Sequence, residues 1–333
     1  MTEQTSKNLT RRDLLTHSAK AVAAIAAAGA ASYLLYDSEG PDAQVRTRLT
    51  TITNFSVPHR RGDTISIVKG ADRAKTLRKA IDLLGGIGRF VKPGELVLIK
   101  PNVAFASPAR LAATSHPELI AELVRLCYAP PAKARQVLVA DNPINDPASC
   151  FRLSGIAQAA GRAGAKIVLP RGAFFQPVTL KGGRLITSWP FFYEPVRNID
   201  KVIGVTPVKN HHRSGASMTM KNWYGLLGGQ RNIFHQDINT IIAELAMLIK
   251  PTLVVLDGIE VMMTNGPTGG SVADLMRKNT IVVSCDQVAA DAFGAGLLGL
   301  KTTDLPYLHM AQANKAGTID YESLEPVFGA VHG

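Results

Sequence analysis

Residues 209–235, KNHHRSGASMTMKNWYGLLGGQRNIFH, hold the densest set of chemistry-bearing side chains in the chain. The stretch has no Asp or Glu. It offers four cations, Lys209, Arg213, Lys221 and Arg231, and three imidazoles, His211, His212 and His235. Ionised donors make the stronger hydrogen bonds to anions, and histidine changes charge or ligates metals near neutral pH. The set therefore suits an anionic or metal-bound ligand. Few of its positions look like core, and it follows an apolar run at 202–205 that reads as a buried strand. Long irregular segments inside a compact domain are usually functional. In a chain of net charge +11 the plain alternative is a solvated basic loop.

Four more candidate strands end on polar residues. The run 95–99 leads into Lys100-Pro101-Asn102, 136–140 into Asp141, 252–256 into Asp257, and 281–285 into Asp286. Open parallel sheets bind ligands at the carboxyl ends of their strands. If these strands are parallel, their ends meet the histidines along one edge. The set then has two uses. Asp141, Asp257 and Asp286 could ligate a divalent metal together with an imidazole. Alternatively, Lys100, Asn102, Lys209, His212 and Arg231 hold an anionic ligand, and His211, His235 or Lys221 supplies acid/base catalysis. Each aspartate also has a duller role open to it. Asp286 precedes a helix and could cap it, and Asp141 precedes Asn142-Pro143 and could set a turn. Trp223 and Tyr224 either line a pocket or anchor the stretch to the core.

The elements that must position these groups alternate. Short apolar strands are expected at 64–69, 95–99, 136–140, 166–169, 202–205, 252–256 and 281–285. Helices are expected at 72–84, closed by Gly85-Gly86, from the Ser115-His116-Pro117-Glu118 capping box to about residue 127, and at 149–163, 238–249 and 287–298. Continuous apolar strands alternating with helices imply an α/β fold, a mainly parallel sheet with helices on both faces. An inserted β-hairpin is expected around the Lys181-Gly182-Gly183-Arg184 turn, pairing 178–180 with 185–187.

Composition bounds the rest. With 46% hydrophobic and 19% charged residues, the 333-residue chain can bury a sizeable core. The positive net charge favours anionic partners, but no nucleic-acid motif is present. Cys127, Cys150 and Cys285 form no CxxC pair, so the chain is not expected to hold an iron–sulfur cluster of its own.

Residues 1–36 have the form of a leader. Thr10-Arg11-Arg12-Asp13-Leu14-Leu15 resembles the twin-arginine export motif, and an Ala-rich run follows it to Ala31. The resemblance implies the twin-arginine export machinery as partner and a periplasmic destination. The leader is either cleaved near Ala28-Gly29-Ala30 or kept as an N-terminal membrane anchor. Residues 37–63 read as a polar linker and 64–330 as the α/β domain, in one or two lobes.

Several motifs across residues 64–300 resemble the family called domain of unknown function 362. They are Lys100-Pro101-Asn102, Thr114-Ser115-His116-Pro117, Lys209 with His211 and His212, Thr219 with Lys221-Asn222-Trp223-Tyr224-Gly225, Gly266-Pro267, and residues 284–291. The resemblance implies a site built from Lys100, Asn102, Lys209, His211, Lys221 and Asn222, and no particular reaction. The functional expectation is an exported enzyme acting on a small anionic or metal-chelated ligand at the sheet's carboxyl edge. The alternative is a non-catalytic binding or accessory module of an exported redox or transport system.

Overall fold

The computed structural model describes residues 11–34 and 50–332. They belong to two units, Met1–Arg48 and Leu49–Gly333. The described part of the first is helix α1 (Arg11–Leu34), whose alanine run has the highest helix propensity of any residue type. Residues 1–10 and 35–36 of the expected leader lie outside the described residues, as do 37–49 of the expected linker. Among the described residues no helix is long and apolar enough to cross a membrane. Residues 50–63 belong to the second unit and pack along its surface. Thr50 bridges Val178, and Phe55 is buried, its N–H donating to Lys250 O at 3.0 Å.

The second unit is built on a mixed sheet of nine strands. In chain order the strands are β1 (Ile65–Lys69), β2 (Leu96–Lys100), β3 (Gln136–Ala140), β4 (Lys166–Val168), β5 (Phe175–Val178), β6 (Trp189–Phe192), β7 (Lys201–His211), β8 (Gly215–Ser217), β9 (Leu253–Met262), β10 (Leu275–Ser284) and β11 (Val327–Ala330). The sheet order is β11-β1-β10-β9-β7-β2-β3-β4, with β8 paired to β7. The block β9-β7-β2-β3-β4 is parallel throughout. Strand β10 runs antiparallel to both its neighbours, β1 and β9.

Both faces are covered, which is why the strands read as continuous apolar runs. Alternate residues serve opposite cores. Leu98, Val202, Val254 and Leu256 pack with α7 (Thr219–Asn222), α8 (Ile238–Leu248), α9 (Gln287–Leu297) and α10 (Pro306–Ala313). Val97, Ile99, Val137, Val139, Ile203 and Val205 pack on the other face. Their partners are α2 (Arg73–Leu83), α3 (Ile87–Phe90), α4 (Pro117–Tyr128), α5 (Pro147–Leu153) and α6 (Ile156–Arg162).

Three local expectations shift. The hairpin forms between β5 and β6, antiparallel and farther from the turn than expected. Its intervening loop is pinned instead by Glu244, whose carboxylate accepts the N–H groups of Arg184, Leu185 and Ile186. Helix α4 starts at Pro117 with His116 as its cap. Ser115 is diverted, its Oγ accepting from Asn102 N at 2.8 Å and donating to Val205 O at 2.9 Å. Finally, β7 runs on to His211, and Met218, Met220, Trp223, Leu226 and Leu227 are all buried. The basic stretch is therefore largely core, because its apolar residues fill the space beside α8 and α9.

Candidate functional site

A cavity of ≈ 870 Å³ lies where the loops after β2 and β3 meet the end of β7. Most of its polar lining comes from the residues singled out above: Lys100, Asn102, Asp141, Lys209, His211, His212, Lys221, Asn222, Arg231 and His235.

The innermost part is a closed network. Lys100 Nζ lies 2.7 Å from Asp141 Oδ1, and both side chains are almost wholly buried. The ammonium also donates to Asn222 Oδ1 at 2.9 Å and Pro101 O at 3.0 Å. Asp141 Oδ2 accepts Val103 N–H at 2.7 Å, and Oδ1 accepts Asn142 N–H at 3.0 Å. The chain at Gly225 passes so close that a Cβ there would overlap Asp141 Oδ1 and Lys100 Nζ. The glycine of the lysine–asparagine–aromatic–glycine block is thus a clearance for this ion pair.

Two lysines that face the cavity make no ion pair among the described residues. Lys209 Nζ donates to Ala113 O at 2.6 Å and Asn102 Oδ1 at 3.3 Å. Burial pushes its pKa down to about 7, with Lys221 adding to the fall and Asp141 opposing it. Lys221 Nζ sits 5.2 Å from the centroid of the Tyr224 ring. Among the described residues it makes no hydrogen bond or ion pair. Burial, then Arg231 and Lys100, lower its pKa to about 8.

Lys221 and Asn222 are held in place from behind. The buried Asp291 carboxylate accepts Thr219 N–H at 2.8 Å, Thr219 Oγ–H at 2.6 Å and Met220 N–H at 3.0 Å. Burial raises its pKa to about 7. Trp223 Nε1 donates to Gln287 Oε1 at 2.6 Å, and Gln287 in turn bonds Ala246 O and Ile249 O. Trp223 is therefore an anchor, while Tyr224 lines the cavity.

Arg231 is a clip. Its Nη1 donates to Tyr224 O and Leu227 O, and its Nη2 to Asn142 O and Pro143 O, at 2.8 to 3.0 Å. The guanidinium's main work is to fasten the loop after β3 to the basic stretch. The histidines form a row: the rings of His211 and His212 stack at 5.0 Å, those of His211 and His235 at 6.1 Å. Burial and the nearby Lys221 ammonium push His211 down to about 2, and the same two causes lower His235.

The expected metal ligands do not converge. Strand β9 continues through Asp257, which pairs with Arg73 at 3.0 Å on the face of α2. Asp286 follows β10, the one strand of the sheet's centre that runs the other way, so it emerges at the opposite edge. There it caps α9, accepting Val288 N–H at 2.8 Å and Ala289 N–H at 3.0 Å. Asp141 alone reaches the cavity, with both oxygens already engaged. Among the described residues no three His, Cys, Asp or Glu side chains form a metal-binding group. Asp141, Asp257 and Asp286 therefore share no common metal site. The three cysteines are buried free thiols, and burial raises Cys127 and Cys285 to about 12.

Sequence reasoning missed Phe105, Ser217, Gln236 and Asn265, all of which line the cavity. Phe105 had one signal, an aromatic in the loop after Lys100-Pro101-Asn102; its ring lies 5.4 Å from Lys209 Nζ. The other three are small or amide residues without one.

Comparison with known proteins agrees with the leader and the motifs. The chain is 27% identical over 244 residues to the Thylakoid-associated protein sll1697 of Synechocystis sp., covering 69% of this chain and 71% of that protein. Among solved structures it is similar to the lactate racemase apoprotein of Thermoanaerobacterium thermosaccharolyticum, at TM-score 0.38 and 13% identity over 73% of this chain. A Thermotoga maritima protein gives TM-score 0.38 and 11% identity over 72%. The chain spans 58% and 60% of those two chains. Residues 1–32 match the signal described as Ubiquitinol-cytochrome C reductase Fe-S subunit TAT signal, so the chain carries a twin-arginine export signal. Residues 97–296 match a second profile, which contains every part of the cavity described above, and the chain belongs to that family, Domain of unknown function (DUF362).

Proposed function

We propose that the chain is an exported, periplasmic enzyme that binds a small anionic ligand in this cavity. One observation carries the proposal. Among the described residues lining the cavity the one carboxylate is Asp141, which Lys100 already holds, so Lys209 and Lys221 face the cavity without an ion-pair partner there. Burying unpaired charge is costly, and sites that do so are functional candidates. A bound anion would supply the missing counter-charge. Lys209, Lys221 and the exposed Arg213 would contact it, with Asn102 and the histidines completing the lining. Lys100 and Arg231, expected as ligand-binding residues, serve here as the framework.

The pH dependence follows. An anion keeps the lysines charged, so their pKa values in the complex lie above those of the empty site, about 7 for Lys209 and about 8 for Lys221. Affinity is then full below about pH 7 and falls as pH rises through those values. Calorimetric titration with phosphate, pyrophosphate and succinate at low salt checks this. At least one anion is expected to bind at pH 6.5 and to lose roughly tenfold or more in affinity by pH 9. Absence of binding by all three at pH 6.5 would count against the proposal.

A further inference from the structure

The partners of His211 and His235 dictate opposite tautomers. His211 Nδ1 accepts two backbone N–H groups, from Arg213 at 3.2 Å and Ser214 at 3.3 Å. An acceptor nitrogen is bare in the neutral ring, so the proton sits on Nε2. His235 is the reverse. Its Nδ1 lies 3.2 Å from Asn232 O, which can only accept. It also lies 3.2 Å from the Tyr224 hydroxyl, whose own proton goes to Arg231 O. Both contacts require Nδ1–H on His235, which leaves Nε2 with a lone pair. Neither Nε2 has a protein partner among the described residues, and both rings line the cavity.

We propose that these two imidazoles divide a proton transfer between them: His211 donates from Nε2–H to the carbonyl oxygen of a bound anion, and His235 Nε2 takes a proton from the carbon next to that carbonyl. This deepens the anion-site proposal and rests on it. The substrate class is an anion that carries a carbonyl group with an adjacent C–H. Its charged end pairs with Lys209 and Lys221. The rings of His211 and His235 lie 19° from parallel with centroids 6.1 Å apart, and both line the cavity, so one ligand seated across their edges can meet a donor nitrogen on one ring and a base nitrogen on the other.

The step balances within the site. The C–H bond breaks and its electron pair forms the C=C bond of an enolate. The carbonyl π pair moves onto oxygen, where His211 Nε2–H stabilises it. The proton goes to His235 Nε2, making an imidazolium. Return of a proton to carbon completes the exchange without any co-reactant. A neutral imidazole is an effective donor to a developing enolate oxygen. His211 is well placed to stay neutral, since burial and Lys221 both oppose its protonation.

Two measurements test the proposal on the full chain. The first is ¹⁵N NMR of the histidine rings without ligand. Nε2–H at His211 and Nδ1–H at His235 is the expected pattern, and the same tautomer at both overturns it. The second follows hydrogen–deuterium exchange by proton NMR in D₂O with pyruvate, acetoacetate and dihydroxyacetone phosphate as probes, with binding measured in parallel. Exchange faster than in buffer is expected for at least one probe. His235→Gln should slow it roughly 100-fold or more and His211→Gln at least tenfold, with binding kept. Binding without accelerated exchange, or unchanged exchange in His235→Gln, overturns the division of roles and leaves the anion site standing. No binding by these three while phosphate, pyrophosphate or succinate binds overturns the substrate class and leaves the anion site standing; no binding by any of the six overturns both.

Discussion

Asp141→Ala is expected to lower the unfolding free energy by about 3–5 kcal/mol, because it strands a buried lysine without its counter-charge. Lys100 and Asp141 are 1% and 2% exposed at the side chain, so water cannot replace the lost partner. Burial already lowers the Lys100 pKa, and the Asp141 carboxylate is the influence that opposes it. The substitution also deprives Val103 N–H and Asn142 N–H of their acceptor. A small domain is stable by only about 5–15 kcal/mol, so the loss takes a large share. Adding Lys100→Met should recover part of the deficit by removing the stranded charge, leaving the cost of the two amides. Urea denaturation of the two single variants and the double variant measures this. A loss under about 1 kcal/mol for Asp141→Ala, or additivity in the double variant, would show that the pair does not organise the site.

Lys221→Met should act in the opposite sense on stability while removing anion binding. The side chain keeps nearly its length but loses an ammonium that, among the described residues, makes no hydrogen bond or ion pair and lies only over the Tyr224 ring. In the folded chain Lys221 has a pKa of about 8 against 10.5 for an ordinary lysine. The folded state therefore binds the proton more weakly than the unfolded chain does. The penalty is complete below about pH 8 and is relieved as pH rises from 8 towards 10.5. The variant should melt roughly 2–4 °C higher than the parent at pH 7, with the advantage shrinking above pH 8. Its affinity for the anions bound by the parent should fall at least about tenfold. A scaffold lysine would show neither pattern. Trading stability for function in this way is common at active sites.

Much of this arrangement was legible in the residues. Continuous apolar runs such as 136–140 and 202–205 announce strands buried on both faces. The polar residues that end β2 and β3 do line one cavity with His211 at the end of β7, because those three strands are parallel. Asp286 was misplaced because direction is not written in a strand: the run before it is equally apolar whether the chain goes up or down. Its position depends on β10 pairing antiparallel with β9. Asp257 looked like a strand end because a charge inside a central strand is unusual. Arg73, far away in sequence, neutralises it there. The basic stretch concealed its core role for a related reason. Trp223 and Met220 bury only because α8 and α9, later in the chain, supply the opposing surface. Tautomers were beyond reach altogether, since they depend on which backbone groups of residues 213, 214 and 232 turn towards the rings.

In the proposed site, Lys209 and Lys221 take their counter-charge from a bound anion. The most direct test is proton uptake on binding, measured by titrating phosphate, pyrophosphate and succinate at pH 7.5 in two buffers of different ionisation enthalpy. With Lys209 near 7 and Lys221 near 8 in the empty site, the account predicts net uptake of protons as the anion raises both, and a smaller uptake in Lys221→Met. Binding with no uptake in the parent, or with the same uptake in parent and variant, would contradict it.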